Sequence, residues 1–291
     1  MIKSRTAALC LCAALLVPAP AVSAAQTPEE RIELTTVDGW NLNARYAKAA
    51  EGAPTVVMIH TQKSDLTEWK NWFKPMRRYG FGYLAIDLRG HGNSFMTPDG
   101  STTSWKTFAR SGPDNEYNRM LRDVDAALAY LSTNSVTADT IVLAGSVLGA
   151  NLAIKAAAIH QDISMVIALS PALNAYDVLS VNPLRAYGKR PLLIVAGADK
   201  LRQYKEFQLL NDIAKTACGK SNVTVIVEAR GIGPSLVTKY NVRRILDWIK
   251  NPRRPPAVEF STAPVSELTP EPGGRERAPE EEWQELPEYR P

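Results

Sequence analysis

Short apolar blocks recur along the chain, separated by longer stretches in which apolar residues return every three or four positions. Ile32–Val37 and Trp40–Tyr46 flank Asp38-Gly39, a strong turn signal, and predict an opening hairpin. Six further blocks are β-branched and apolar on both faces: Thr55–His60, Tyr83–Asp87, Thr140–Gly145, Met165–Ser170, Leu192–Ala196 and Val223–Glu228. Such blocks suit parallel strands covered on both sides. Helical periodicity lies between them, over Leu66–Tyr79, Glu116–Ser132, Gly149–His160, Leu201–Cys218 and Ser235–Lys250. The alternation predicts an α/β fold, a single doubly wound, mostly parallel sheet sandwiched by helices. No repeat of 20–50 residues is present. The longest connections, 88–115 and 171–190, are too short for a separate lid domain.

The two ends depart from this pattern. In residues 1–25, Lys3 and Arg5 precede an apolar run from Ala7 to Val17, Pro18 and Pro20 break it, and Ser23-Ala24-Ala25 offers small residues for cleavage. This is the layout of a secretory signal, too short to span a bilayer. Residues 26–250 form the expected folded domain. From Asn251 onward lie nine of the 20 prolines, with nine glutamates against five arginines. That segment, 251–291, is expected to be a disordered tail. Within it Trp283, Leu286 and Tyr289 are spaced as a short docking motif or simply as part of a solvated tail.

Composition adds bounds. Hydrophobic residues make 45% and charged residues 22% of the 291, an ordinary globular mix. The formal charge is +4, from 34 basic and 30 acidic residues, which provides no strong attraction to nucleic acid or anionic lipid. Cys10 and Cys12 would leave with the signal, so Cys218 is the remaining thiol and no internal disulfide is expected. The three histidines, His60, His91 and His160, are scattered, so no metal site is expected, and no phosphate-binding loop or other cofactor motif is present. The expected partner is an unidentified small molecule or protein, with no nucleic acid and no stable membrane insertion after signal cleavage. The expected location is periplasmic or secreted.

Ligands of open parallel sheets bind at the carboxyl ends of the strands. Those ends carry His60-Thr61, Asp87–Ser94, Gly145–Gly149, Ser170-Pro171, Gly197–Asp199 and Ala229–Gly233. Four segments, in order, give these ends a family character. They are Val56-Val57-Met58-Ile59-His60, Asp87-Leu88-Arg89-Gly90-His91-Gly92-Asn93-Ser94, Ile141–Ile154 and Leu192–Asp199. Over about residues 31–250 the chain resembles the α/β-hydrolase superfamily, especially its small esterase, dienelactone-hydrolase and serine-peptidase-like members. The resemblance implies that fold and a serine–acid–histidine triad.

The residues depart from the triad at two places. The nucleophile elbow is G-x-S-x-G. Here the glycines are Gly145 and Gly149, and the central residue is Val147, which has no lone pair to attack a carbonyl. Centring the motif on Ser146 would put Ala144 and Leu148 at the glycine positions, so the spacing favours Val147. The resemblance places the base in the loop 229–234, where Ile232 stands between Gly231 and Gly233, and no histidine follows His160. Asp199 matches the triad acid and is the one catalytic position retained. Thr61 or Gln62, with Leu148, match the backbone oxyanion donors, and His60 joins them as a ligand-binding candidate. The expected function is a secreted pseudoenzyme that binds a small molecule or protein without serine-hydrolase turnover. Two other readings stay open. One is an active hydrolase using Ser146 with His60 or His91 as base. The other is a structural or assembly protein acting through its tail.

Overall fold

The structure, a computed structural model, describes residues 28–112 and 114–252. The signal and all of the tail from residue 253 lie outside the described residues. The opening hairpin is β1 (Glu30–Thr35) and β2 (Asn41–Ala47), joined by a turn at Gly39 with φ 85°. Thr36 closes this turn: its N–H donates to Trp40 O, and its hydroxyl donates to the Asp38 carboxylate. Next come β3 (Thr55–Ile59), α1 (Lys70–Tyr79), β4 (Gly82–Ile86), α2 (Glu116–Arg119), α3 (Leu121–Thr133), β5 (Ile141–Ser146), α4 (Leu148–Ile159) and β6 (Met165–Leu169). After a two-residue ribbon, β7 (Asn174–Ala175) with β8 (Val178–Leu179), follow α5 (Val181–Ala186), β9 (Leu192–Gly197), α6 (Leu201–Cys218), β10 (Val223–Glu228) and α7 (Lys239–Lys250).

The eight-stranded sheet has the order β1-β2-β4-β3-β5-β6-β9-β10. β1 and β2 are antiparallel, β2 meets β4 antiparallel, and every later pair is parallel. β3, β4, β5 and β9 are buried along their whole length, because helices cover both faces. Alternate residues feed two cores. Val57, Ile59, Leu143 and Ile194 pack with residues of α3, α4 and α6; Val56, Met58, Val142 and Val195 pack with α1 and α7, around the fully buried Trp69, Trp72 and Trp248.

The sequence pattern overextends several helices. The stretch Leu66–Tyr79 opens as a 3-10 turn, Leu66–Trp69, capped by Asp65. Glu116–Ser132 is broken at Met120 into α2 and α3. Another 3-10 turn, Gly233–Leu236, precedes α7. Connection 171–190 holds β7, β8 and α5. No helix among the described residues is long and apolar enough to cross a membrane.

Candidate functional site

The turn from β5 into α4 is set by close backbone contact. A Cβ on Gly145 would lie 2.0 Å from Gly149 O, and one on Gly149 would lie 2.1 Å from Ile59 O. Only glycine fits either place, and between them the chain must reverse within one residue. That residue is Val147, with φ 49° and ψ −101°. A β-branched residue at positive φ is a genuine outlier, costing on the order of 1–3 kcal/mol. Val147 N–H donates to Leu169 O at 2.9 Å, and its carbonyl accepts Asn151 N–H at 3.2 Å. Ser146 is the last residue of β5, fully buried, and not at the apex.

Val147 faces the loop that leads into the 3-10 turn Gly233–Leu236. A Cβ on Gly233 would sit 2.6 Å from Val147 Cγ2 and 2.9 Å from Ser146 Oγ. This loop folds against the end of β9, where a Cβ on Gly197 would be 2.1 Å from Gly231 O. Three of its amides are engaged: Gly231 N–H donates to Asp199 Oδ1 at 2.9 Å, Ile232 N–H to Ser235 Oγ at 2.7 Å, and Gly233 N–H to Ser170 Oγ at 3.0 Å. Asp199 therefore faces the loop that carries Ile232, with Lys200 Nζ 3.9 Å from its other oxygen.

These strand ends enclose a cavity of 220 Å³. Val147, Ile232, Phe207, Pro171 and Ala172 line it, with Ser170 and the ion-paired Arg202 and Glu206. The structure thus brings Val147, Ile232 and Asp199 to one corner of the sheet. Thr61, Gln62, Leu148 and His60 do not line this cavity among the described residues, although Leu148 directly follows Val147.

Thr61 N–H is not a free donor, because it donates to Glu68 Oε2 at 3.1 Å. Gln62 turns its side-chain amide to Tyr176 OH at 2.6 Å and its carbonyl to His91. Leu148 opens α4, so its N–H has no intrahelical acceptor. His60 is fully buried. Its Nε2 accepts Leu88 N–H at 3.0 Å, so Nδ1–H donates to Thr61 O at 2.6 Å. Burial and the neighbouring His91 press its pKa down to about 3. The His91 ring stacks on Trp105 and reaches Arg89 O and Gln62 O with its two nitrogens, and burial lowers its pKa too. Both rings pin loops and have no nitrogen left for Ser146. His160 pairs with Asp125 at 2.8 Å beside Ile141, the first residue of β5, away from the cavity.

The remaining family-like segment is a structural knot. Asp87 accepts N–H groups from Leu66 and Asn93 and the Asn43 amide, and a Cβ on Gly92 would meet its carboxylate at 2.3 Å. Arg89, fully buried, pairs with Asp38 and Asp123, each at 2.7 Å.

A sequence model of the serine aminopeptidase S33 family matches residues 51–198, just over half the chain. The chain belongs to this family of α/β hydrolases. The match covers the elbow and ends one residue before Asp199. No curated protein matches the chain by sequence. Among solved structures, an esterase of Pyrococcus furiosus is 18% identical with a TM-score of 0.59, covering 78% of this chain and 92% of that one. A dienelactone hydrolase of Anabaena variabilis is 14% identical with a TM-score of 0.60, covering 79% and 100%. A CIB-like hydrolase of Thermoplasma acidophilum is 17% identical with a TM-score of 0.58, covering 77% and 99%. At these identities the likeness establishes the α/β-hydrolase fold.

Two residues near the elbow carry no signal in the sequence. Ser170 reads only as a strand end, and Glu68 lies inside an expected helix with no motif to mark it. Its Oε1 is shut from solvent, and burial pushes its pKa up to about 7. The Ser146 hydroxyl lies beside this carboxyl without an aligned hydrogen bond.

Proposed function

We propose that this chain is a family member that binds a small molecule or protein partner without serine-hydrolase turnover, and that it is exported. The observation that carries this reading is Val147, held at φ 49° between Gly145 and Gly149 where the family motif needs a nucleophile. The absence of a histidine after residue 160 supports it, since the base of this fold comes last in the chain. Asp199 is then a loop anchor for Gly231 instead of a partner for an imidazole. Export rests on the charged, apolar and small-residue order of residues 1–25.

A fluorophosphonate probe tests the first part. The wild-type protein should remain unlabelled and should hydrolyse p-nitrophenyl acetate no faster than heat-inactivated protein. Stoichiometric labelling that disappears in Ser146→Ala would overturn this reading in favour of an active hydrolase. For export, the full chain should be recovered outside the cytoplasm in a form shortened near residue 25, and a chain lacking residues 2–25 should stay inside.

A further inference from the structure

Ser170 follows β6 with φ 51°, a left-handed backbone that a non-glycine residue holds only at a cost. Its oxygen accepts Gly233 N–H at 3.0 Å, and no acceptor for its own hydrogen is present among the described residues. A serine hydroxyl has one hydrogen to give, so Ser170 offers the cavity one directed donor.

Most other polar groups around the cavity have partners within the protein. Arg202 and Glu206 are its charged lining residues; they pair at 3.1 Å, and Glu206 also receives Leu173 N–H at 3.4 Å. Asn174 turns both ends of its amide to Asp177, at 3.0 and 2.7 Å. The Gly231 and Ile232 amides face Asp199 and Ser235. Gln203 is exposed on α6. The charged lining residues, Arg202 and Glu206, are one of each sign and pair with each other, so the lining carries no net charge to favour an ionic ligand. The volume of 220 Å³ is below the roughly 300–1,000 Å³ of drug-sized sites, so the occupant is small.

We infer that this cavity takes a small neutral molecule whose carbonyl or ether oxygen accepts the Ser170 hydroxyl while an apolar group packs on Val147, Ile232 and Phe207. This ligand class deepens the non-hydrolytic binding role proposed above and stands only if the cavity binds at all.

Three soluble probes sharing a six-membered carbon ring separate the two claims: cyclohexanone, cyclohexanecarboxylate and cyclohexylammonium, titrated into the isotope-labelled full chain by NMR. Cyclohexanone should shift the amides of Val147, Ser170 and Ile232, and both ions should bind at least about 10-fold more weakly. Ser170→Ala and Ser170→Gly should each weaken cyclohexanone about 2- to 10-fold, the value of one hydrogen bond. The glycine variant accepts φ 51° without strain, which separates loss of the hydroxyl from backbone strain, and the amide spectrum of each variant reports whether the Gly233 loop keeps its place. Tighter binding of either ion, or cyclohexanone binding indifferent to both Ser170 variants, overturns the ligand class and leaves the binding role standing. Titration of all three probes into the tens of millimolar without a shift at these amides overturns both.

Discussion

A carboxyl group whose pKa is raised to about 7 is a folding liability that can be read in a pH profile. Glu68 is held between Thr61 N–H, the hydroxyls of Ser64 and Ser146, and the like charge of Asp65, with burial as the main cause of the shift. In the unfolded chain a glutamate titrates near its ordinary value of 4.5. Between that pH and about 7 the folded protein holds a proton that the unfolded chain has released, so stability falls as pH rises through this window. The loss is on the order of 3 kcal/mol and is complete above the folded pKa. Glu68→Gln keeps an acceptor for Thr61 N–H and never ionises. Its stability should therefore exceed wild type at pH 8 and converge on it near pH 4, as measured by urea denaturation across pH. Parallel profiles for the two proteins would show that Glu68 is not the titrating group.

At the scale of the element, the elbow is a contact between backbones, and its glycines carry a cost that no repacking relieves. A methyl group at residue 145 or 149 would overlap carbonyl oxygens at 2.0 or 2.1 Å. Gly145→Ala and Gly149→Ala should each lower stability by about 3 kcal/mol or more, or prevent folding. Gly52→Ala is the control, because nothing lies within 4 Å and the residual cost, from φ 70°, is about 1 kcal/mol. Equal losses at all three would mean that the elbow packing is loose. This same spacing is why the elbow was legible in sequence: two glycines four apart, between an apolar block and a helix, report a geometry and not merely a composition. Strand existence was legible for the same reason, since blocks such as TVVMI and LLIVAG have to be buried on both faces. Helix starts were not, because Leu66–Trp69 and Gly233–Leu236 have helical spacing but tighten into 3-10 turns where the chain leaves the sheet. Glu68 was illegible because Ser146, 78 residues further on, reaches it only once β3 and β5 are paired.

At the scale of the whole molecule, the sheet brings the ends of β5 and β9 and the loop after β10 to one corner, and the consequence is a restoration test. Val147 and Ile232 line one cavity, and Asp199 contacts the residue just before Ile232. If these are the nucleophile and base positions, Val147→Ser with Ile232→His should yield hydrolysis of a small activated ester, while each single change should yield almost none. Triad members act as a unit, so one restored member has little to work with. Three features set the size of the gain. Asp199 has one oxygen on Gly231 and the other only 3.9 Å from Lys200, so an imidazole can still be oriented through the second oxygen. Thr61 N–H is engaged by Glu68, which leaves Leu148 N–H as the readier oxyanion donor. Losing one such donor costs about 10²–10³-fold in rate, so the double variant should be detectable but far from a proficient esterase. Adding Glu68→Ala should then raise the rate further by freeing Thr61 N–H, with no effect in the wild-type background. Rates are to be read as single-turnover acylation of p-nitrophenyl acetate, alongside thermal denaturation to establish folding. A folded double variant with no burst, and no gain from Glu68→Ala, would mean that Val147 and Ile232 share a cavity without occupying the reacting positions.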